Sequence, residues 1–219
     1  MSSLEAPAVR TVLQDLYAQA GKIDSEVFPR VLAAAKQLGG PLNDQKVSHL
    51  LDEAFMPVSP EVGRLLYILV RTRRPQTAVE FGTSFGLSAI QTAAALRDNG
   101  EGRLIATELN AAKVERATEH LKQAGLADLV EVRQGDAFET LSDVAGIGFL
   151  LLDGWKGLYL PMLKKLEPVL EPGCLIVADD LKIMPELLKP YVDYVREPQN
   201  GYISSELPLD DGLELSFRR

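Results

Sequence analysis

The chain is predicted to fold as an α/β domain: a mostly parallel seven-stranded sheet covered by helices, with a helical leader in front and an antiparallel strand at the end. Three features predict it. From Pro75 onward, short apolar runs alternate with helix-length runs, the pattern of parallel strands joined by crossover helices. The first of these runs, Thr77 to Phe81, passes through Gly82-Thr83-Ser84-Phe85-Gly86 into a helix-like run, and strand, glycine turn, helix is an arrangement that points backbone N–H groups at a ligand. Acids then stand at or just past the ends of five strand-like runs: Glu80, Glu108, Asp136, Asp153 and the pair Asp179-Asp180.

The leader, residues 1–73, reads as helices separated by breakers. Leu4 to Ala20 carries Val9, Val12, Leu13, Leu16 and Tyr17 at helical spacing, and Ser25 to Leu38 repeats the pattern until Gly39-Gly40 stops it. Asn43 or Asp44 is a capping residue for a third helix through Phe55. Ser59 as N-cap with Pro60 at the first helical position starts a fourth, to about Thr72. The leader is read as a lid, an interface between two copies of the chain, or a plain packing layer.

Residues 74–219 form the core, and the whole chain is expected to be one domain. Strands are expected at Thr77–Phe81, Arg103–Thr107, Val130–Arg133, Gly148–Leu152 and Cys174–Ala178, with helices at Leu87–Asp98, Ala111–Gln123, Phe138–Leu141 and Leu158–Leu166 between them. A helical stretch from Met184 to Val195 precedes two more strands, Tyr202–Leu207 and Leu213–Phe217. Asp211-Gly212 between those two marks an antiparallel hairpin.

Composition narrows the function. A formal net charge of −8 argues against a nucleic-acid surface, which needs Lys and Arg to neutralise phosphates. The single cysteine, Cys174, excludes an intrachain disulfide and a cysteine metal cluster. MSSLEAPAVR lacks the apolar core of a signal peptide, and no run is long and apolar enough to span a bilayer. The expected compartment is the cytoplasm. His49 and His120 lack metal-ligand spacing and are expected to be surface or packing residues.

The turn is not G-x-G-x-x-G, so it is a poor dinucleotide fingerprint. Glu80 at the end of the first strand would also repel a pyrophosphate. It suits a ligand with a cationic amino group or hydroxyl donors, and S-adenosylmethionine (SAM) has both. Glu108 follows the turn at about the 20-residue interval of a ribose-hydroxyl acceptor, its alternative being a helix cap beside Asn110. Asp136, before Ala137, is a candidate acceptor for an adenine amino group or a helix N-cap. Ligands of open α/β sheets bind outside the carboxyl ends of the strands, so all five acids fall in one cleft. Asp153, Asp179 and Asp180 make an oxygen-only set suited to Mg²⁺, Ca²⁺ or Mn²⁺. Lys156, three residues past Asp153, becomes a proton acceptor if its pKa is lowered; alone it is a solvated charge. Trp155, the only tryptophan, stacks on a flat ring or packs in the core.

EFGTSFGLSAI, ATELN, GDAFETL, LLLDGWKGLYLPMLKKLEPVLEPGCLIVADDL and DDGLELSFR together resemble the cation-dependent, catechol O-methyltransferase-like class of SAM-dependent methyltransferases. DxWKxxYLP with the later ADD pair is the specific part of the likeness, which runs from about residue 56 to the end. It implies the Rossmann-like class I methyltransferase fold and methyl transfer to a hydroxyl of a small aromatic acceptor, catechol- or caffeoyl-like. It implies a methionine-end SAM site at Glu80, Gly82, Thr83, Ser84, Phe85 and Ser88, a ribose acceptor at Glu108, and an adenine wall with Trp155. By the same likeness Asp153, Asp179 and Asp180 hold Mg²⁺, Lys156 is the base, and Glu214 with Asp180 and Lys156 faces the acceptor. The helical leader also offers a surface for a homodimer. Two positions depart from the pattern: Asp180 replaces the usual Asn, and Gly154 replaces a histidine near adenine. The rival readings are a SAM-binding module without catalysis and a nicotinamide-dependent oxidoreductase.

Overall fold

The computed structural model describes residues 2–38 and 50–219. One sheet of seven strands has the order β3-β2-β1-β4-β5-β7-β6. The strands are β1 (Thr77–Phe81), β2 (Arg103–Glu108), β3 (Val130–Gln134), β4 (Ile147–Leu152), β5 (Leu170–Ala178), β6 (Tyr202–Leu207) and β7 (Leu213–Arg218). Six strands point the same way, and β7 alone is reversed, antiparallel to both β5 and β6 as the Asp211-Gly212 turn predicts. β1 and β4 are buried at every position, as befits central strands covered on both faces.

The helices are α1 (Pro7–Leu38), α2 (Pro60–Arg73), α3 (Leu87–Asn99), α4 (Ala111–Gln123), α5 (Ala137–Thr140), α6 (Tyr159–Leu166) and α7 (Pro185–Arg196). On one face, α1, α2 and α3 pack Val12, Leu16, Leu66 and Ile90 against Phe149, Leu151 and Val177 of the sheet. On the other, Tyr159, Met162, Leu188 and Tyr191 from α6 and α7 pack against Val79, Leu150 and Ile176. Local signals set the boundaries. Ser59 accepts from the Val62 N–H at the start of α2, with Pro60 at the first turn. Asn110 accepts from the N–H groups of Ala112 and Lys113 at the start of α4.

The leader departs from expectation. The two helices expected over Leu4–Ala20 and Ser25–Leu38 are one helix, α1, of 32 residues with Pro29 inside it. Val9, Val12, Leu16, Ala20 and Val27 are all buried, and Ile23 packs beside them. That stripe keeps helical spacing straight through Gly21, so tertiary packing overrides the weak local break. The expected third helix falls largely on residues 39–49, outside the described ones; from Leu51 the chain is a turn and bends, then irregular up to Ser59.

Candidate functional site

The strand order reverses between β1 and β4, so the crevice where an α/β sheet binds ligands opens beyond Phe81 and Leu152. The turn after β1 is drawn over it tightly. Gly82 has φ +90, and a Cβ there would stand 2.7 Å from the carbonyl oxygen of Asp153 and from Cα of Gly154. Its N–H and that of Thr83 donate to the Thr107 carbonyl at 3.2 and 3.0 Å. Ser84 takes a left-handed φ of +47 and Gly86 one of +89. Gly154, where a relative's histidine was expected, is hemmed in: a Cβ would meet the Phe81 ring at 2.6 Å.

Glu80 and Ser88 meet beneath this turn. The Ser88 hydroxyl donates to Glu80 Oε1, while Oε2 and the buried Thr83 hydroxyl have no hydrogen-bond partner. Burial pushes the Glu80 carboxyl up to about 7, against the Ser88 and Thr83 hydroxyls, which pull it down. A buried carboxylate oxygen and a buried hydroxyl left without a well-formed hydrogen bond mark a place for a ligand. The ammonium and carboxylate of the amino-acid end of SAM fit that pair in chemistry. His120, expected to be a packing or surface residue, is buried, and its Nδ1 lies 2.9 Å from the Phe85 carbonyl behind the turn.

Glu108 ends β2 facing the same crevice. Its Oε2 accepts from the Ser84 N–H and its Oε1 from the Asn110 N–H, both at 2.9 Å. The capping geometry weighed for Glu108 is therefore present, and each oxygen keeps a second lone pair for a diol. Asp136 likewise caps α5 through the Phe138 N–H at 2.8 Å, with Ala137 buried next to it. Trp155 packs against the leader, on the cluster of Val27, Leu51 and Ala54. Leu109, half exposed directly after Glu108, was not singled out by sequence; an apolar side chain left open at the ligand edge is the signal that marks it.

Asp153, Lys156, Asp179 and Asp180 come together at the ends of β4 and β5. Lys156 Nζ stands 2.7 Å from Asp180 Oδ2 and 3.5 Å from Asp153 Oδ1. It also donates at 2.8 Å to the Tyr159 hydroxyl, which donates in turn to the Asp179 carbonyl. Tyr159 was missed as a site residue, although it is the tyrosine of DxWKxxYLP and stands three positions past Lys156. Burial raises the Asp153 and Asp179 carboxyls above the usual range; Lys156 opposes this at both, and the neighbouring aspartates add to it. The lowered Lys156 pKa that a free base requires is not found. Burial pulls it down, but Asp153 and Asp180 outweigh burial and hold the proton on.

The expected gathering of the three aspartates round one ion is not seen either. Among the described residues no three acidic, His or Cys side chains converge on a point. Asp180 turns to Lys156, and Asp179 Oδ1 accepts from the Asp180 N–H at 2.8 Å. The donor set nonetheless fits a hard divalent cation in type and charge. Two carboxylates pair with the ammonium and a third, Asp179, lies near, and burial with mutual repulsion leaves the cluster short of positive charge.

Glu214 does not face an acceptor. It is fully buried on β7, and Arg196 Nε donates to its Oε1 at 2.8 Å while Nη2 donates to Oε2 at 2.5 Å. Ser204 Oγ adds a third bond at 2.6 Å. A carboxylate held by an arginine fork and a hydroxyl ties β7 to α7 and β6.

The chain is similar to known methyltransferases. Residues 79–181 match the family described as Methyltransferase domain. The chain is 31% identical over 207 residues to catechol O-methyltransferase B of Danio rerio, covering 85% of this chain and 77% of that one. It is 25% identical over 220 residues to caffeoyl-CoA O-methyltransferase 2 of Petunia hybrida, covering 90% and 88%. Among solved structures, the Streptomyces achromogenes O-methyltransferase involved in tomaymycin synthesis, in complex with SAM, shares the fold with a TM-score of 0.69 at 22% identity. That match covers 85% of this chain and 94% of that one.

Proposed function

This chain belongs to the catechol O-methyltransferase-like, SAM-dependent O-methyltransferases, and on that premise we propose that it methylates a hydroxyl of a small aromatic acceptor with two adjacent oxygens. The observation that carries the reading is the cluster of Lys156 with Asp153 and Asp180, set beside the turn that holds Glu80. A phenol oxygen entering there meets an ammonium that can hydrogen-bond it and carboxylates that favour loss of its proton.

In this reading Glu80, Thr83 and Ser88 hold the amino-acid end of SAM under the turn. Glu108 receives the ribose, and Asp136, Leu109 and Trp155 border the adenine. The acceptor oxygen forms its bond to the methyl carbon as the carbon–sulfur bond breaks, and S-adenosylhomocysteine leaves. The hydroxyl proton passes to the Asp153–Lys156 pair acting as a unit. Asp153, Asp179 and Asp180 would hold a divalent cation such as Mg²⁺. Such an ion supplies Lewis acidity to a hydroxyl and relieves the crowding of carboxylates. Holding both reactants in one crevice contributes much of the acceleration.

The test is a methyl-transfer screen of vicinal diphenols with Mg²⁺ or with chelator. The expected outcome is a mono-methylated product with chelator-sensitive turnover, and loss of turnover in Asp153→Ala with SAM binding largely kept. Full turnover in chelator refutes the metal. A protein that binds SAM yet methylates no diphenol refutes the acceptor class.

A further inference from the structure

We infer that Lys113 is a positioning residue that sets cofactor affinity by clamping the glycine turn to the helical leader; the inference rests on the reading of that turn as the SAM site. Lys113 is on the first turn of α4 and only 5% exposed. Its Nζ donates to the Ala54 carbonyl at 2.8 Å and to Ser84 Oγ at 3.3 Å. It also lies 5.2 Å from the centre of the Phe85 ring. Burying an ammonium is unfavourable, and burial pulls the Lys113 pKa down against the pull of Glu108, Asp52 and Asp24, which raise it. A methionine would fill the same space. What the ammonium adds is a tie between two segments distant in sequence.

The tie falls where the turn is strained. Ser84 holds its left-handed φ of +47 through three polar contacts. Its N–H goes to Glu108 Oε2, its hydroxyl donates to the Phe55 carbonyl at 2.9 Å, and that hydroxyl accepts from Lys113. Phe55 stacks on Phe85 with centroids 4.0 Å apart, and Asp24 of α1 accepts from the N–H groups of Phe55 and Met56 at 2.7 and 3.0 Å. A cavity of about 410 Å³ lies alongside, lined in part by Val27, Phe55, Phe85 and Lys113. The Phe85 ring is held by its stack on Phe55, and the polar clamp is what holds Ser84 beside it. Releasing Lys113 frees Ser84 to leave its strained conformation. Glu108 then loses the N–H that fixes one of its oxygens.

The experiment measures SAM binding by calorimetry, steady-state kinetics in both substrates, and Trp155 emission in the full chain. Lys113→Met is expected to weaken SAM binding about tenfold and to raise KM for SAM by the same factor. Both kcat and KM for the acceptor are expected to stay within about twofold, because lost ground-state binding of one substrate shows in that KM. Trp155 packs on the leader, so its emission is expected to shift to the red in the variant and to return when SAM saturates it. Lys113→Arg is expected to recover part of the affinity. If Lys113→Met does not fold, Lys113→Leu removes the same donor with a shorter apolar side chain and is expected to show the same split between the two KM values. SAM affinity equal to wild type in these variants overturns the inference, as does an equal loss in kcat and in both KM values. A wild-type chain that binds no SAM overturns the reading of the turn together with the inference.

Discussion

The Lys156 ammonium is 2.7 Å from Asp180 Oδ2, an ion pair that ties the chain just past β4 to the chain just past β5. Asp180 reaches it with a left-handed backbone, φ +67, and only about a quarter of its side chain is exposed. The third carboxylate makes Lys156 a cation held by aspartates rather than a free amine.

Lys156→Met therefore removes the only cation this cluster is seen to hold. Turnover with a diphenol is expected to fall by about 100- to 10,000-fold, the usual weight of a positioned proton-transfer group. Because Lys156 does not touch Glu80 or Glu108, SAM affinity is expected to change by less than about threefold. Calorimetry and initial rates check both numbers. Equal losses in binding and in rate would show that Lys156 serves the fold.

On the proposed reading, Glu80 makes SAM binding depend on pH. Its folded pKa of about 7 lies above the ordinary 4.5. The free protein thus holds a proton there that the unfolded chain has released, and stability from this group is present below 4.5 and lost as pH rises toward 7. That shift is worth about 3 kcal/mol at most. The SAM ammonium favours the ionised carboxylate, so its binding runs the other way. SAM affinity is expected to be about tenfold tighter at pH 7.5 than at pH 5.5, with a proton released on binding at the lower pH. Glu80→Gln is expected to flatten the profile. An unchanged profile in that variant would place the titrating group elsewhere.

Arg196 and Glu214 set a stability test. Glu214 is fully buried while two-fifths of the Arg196 side chain is exposed. Arg196→Met leaves a buried carboxylate with only the Ser204 hydroxyl and is expected to destabilise the chain by about 2–3 kcal/mol in denaturant unfolding. That is below the full value for a buried pair, since water reaches the arginine. Adding Glu214→Leu is expected to restore most of the loss. If acceptor KM rises in Glu214→Leu while stability is normal, Glu214 would return to the acceptor side.

Much of the fold was legible because its signals are local. Thr77–Phe81, Ala111–Gln123 and Tyr202–Leu207 were bounded by apolar runs, caps and a turn that act within a few residues, and the elements carry those limits. The leader was less legible because its two apparent halves are joined by a stripe from Val9 to Val27 that matters only once it packs. The acids at the strand ends were legible as a set, because a parallel sheet brings every carboxyl end to one edge. Their partners were not. Nothing local says that Arg196 takes Glu214 or that Lys156 stays protonated.

The positions of the strands, the glycine turn and the acidic edge follow from residue type and period, which act along the chain. Which acids are free, which are paired and which are held up by burial follows from distances between segments far apart in sequence. Coulomb energy and desolvation depend on those distances and on the water left between them. That is why Glu80 ends with an unpartnered oxygen, Glu214 ends in an arginine fork, and Lys113 reaches across α4 to hold Ser84 against the leader.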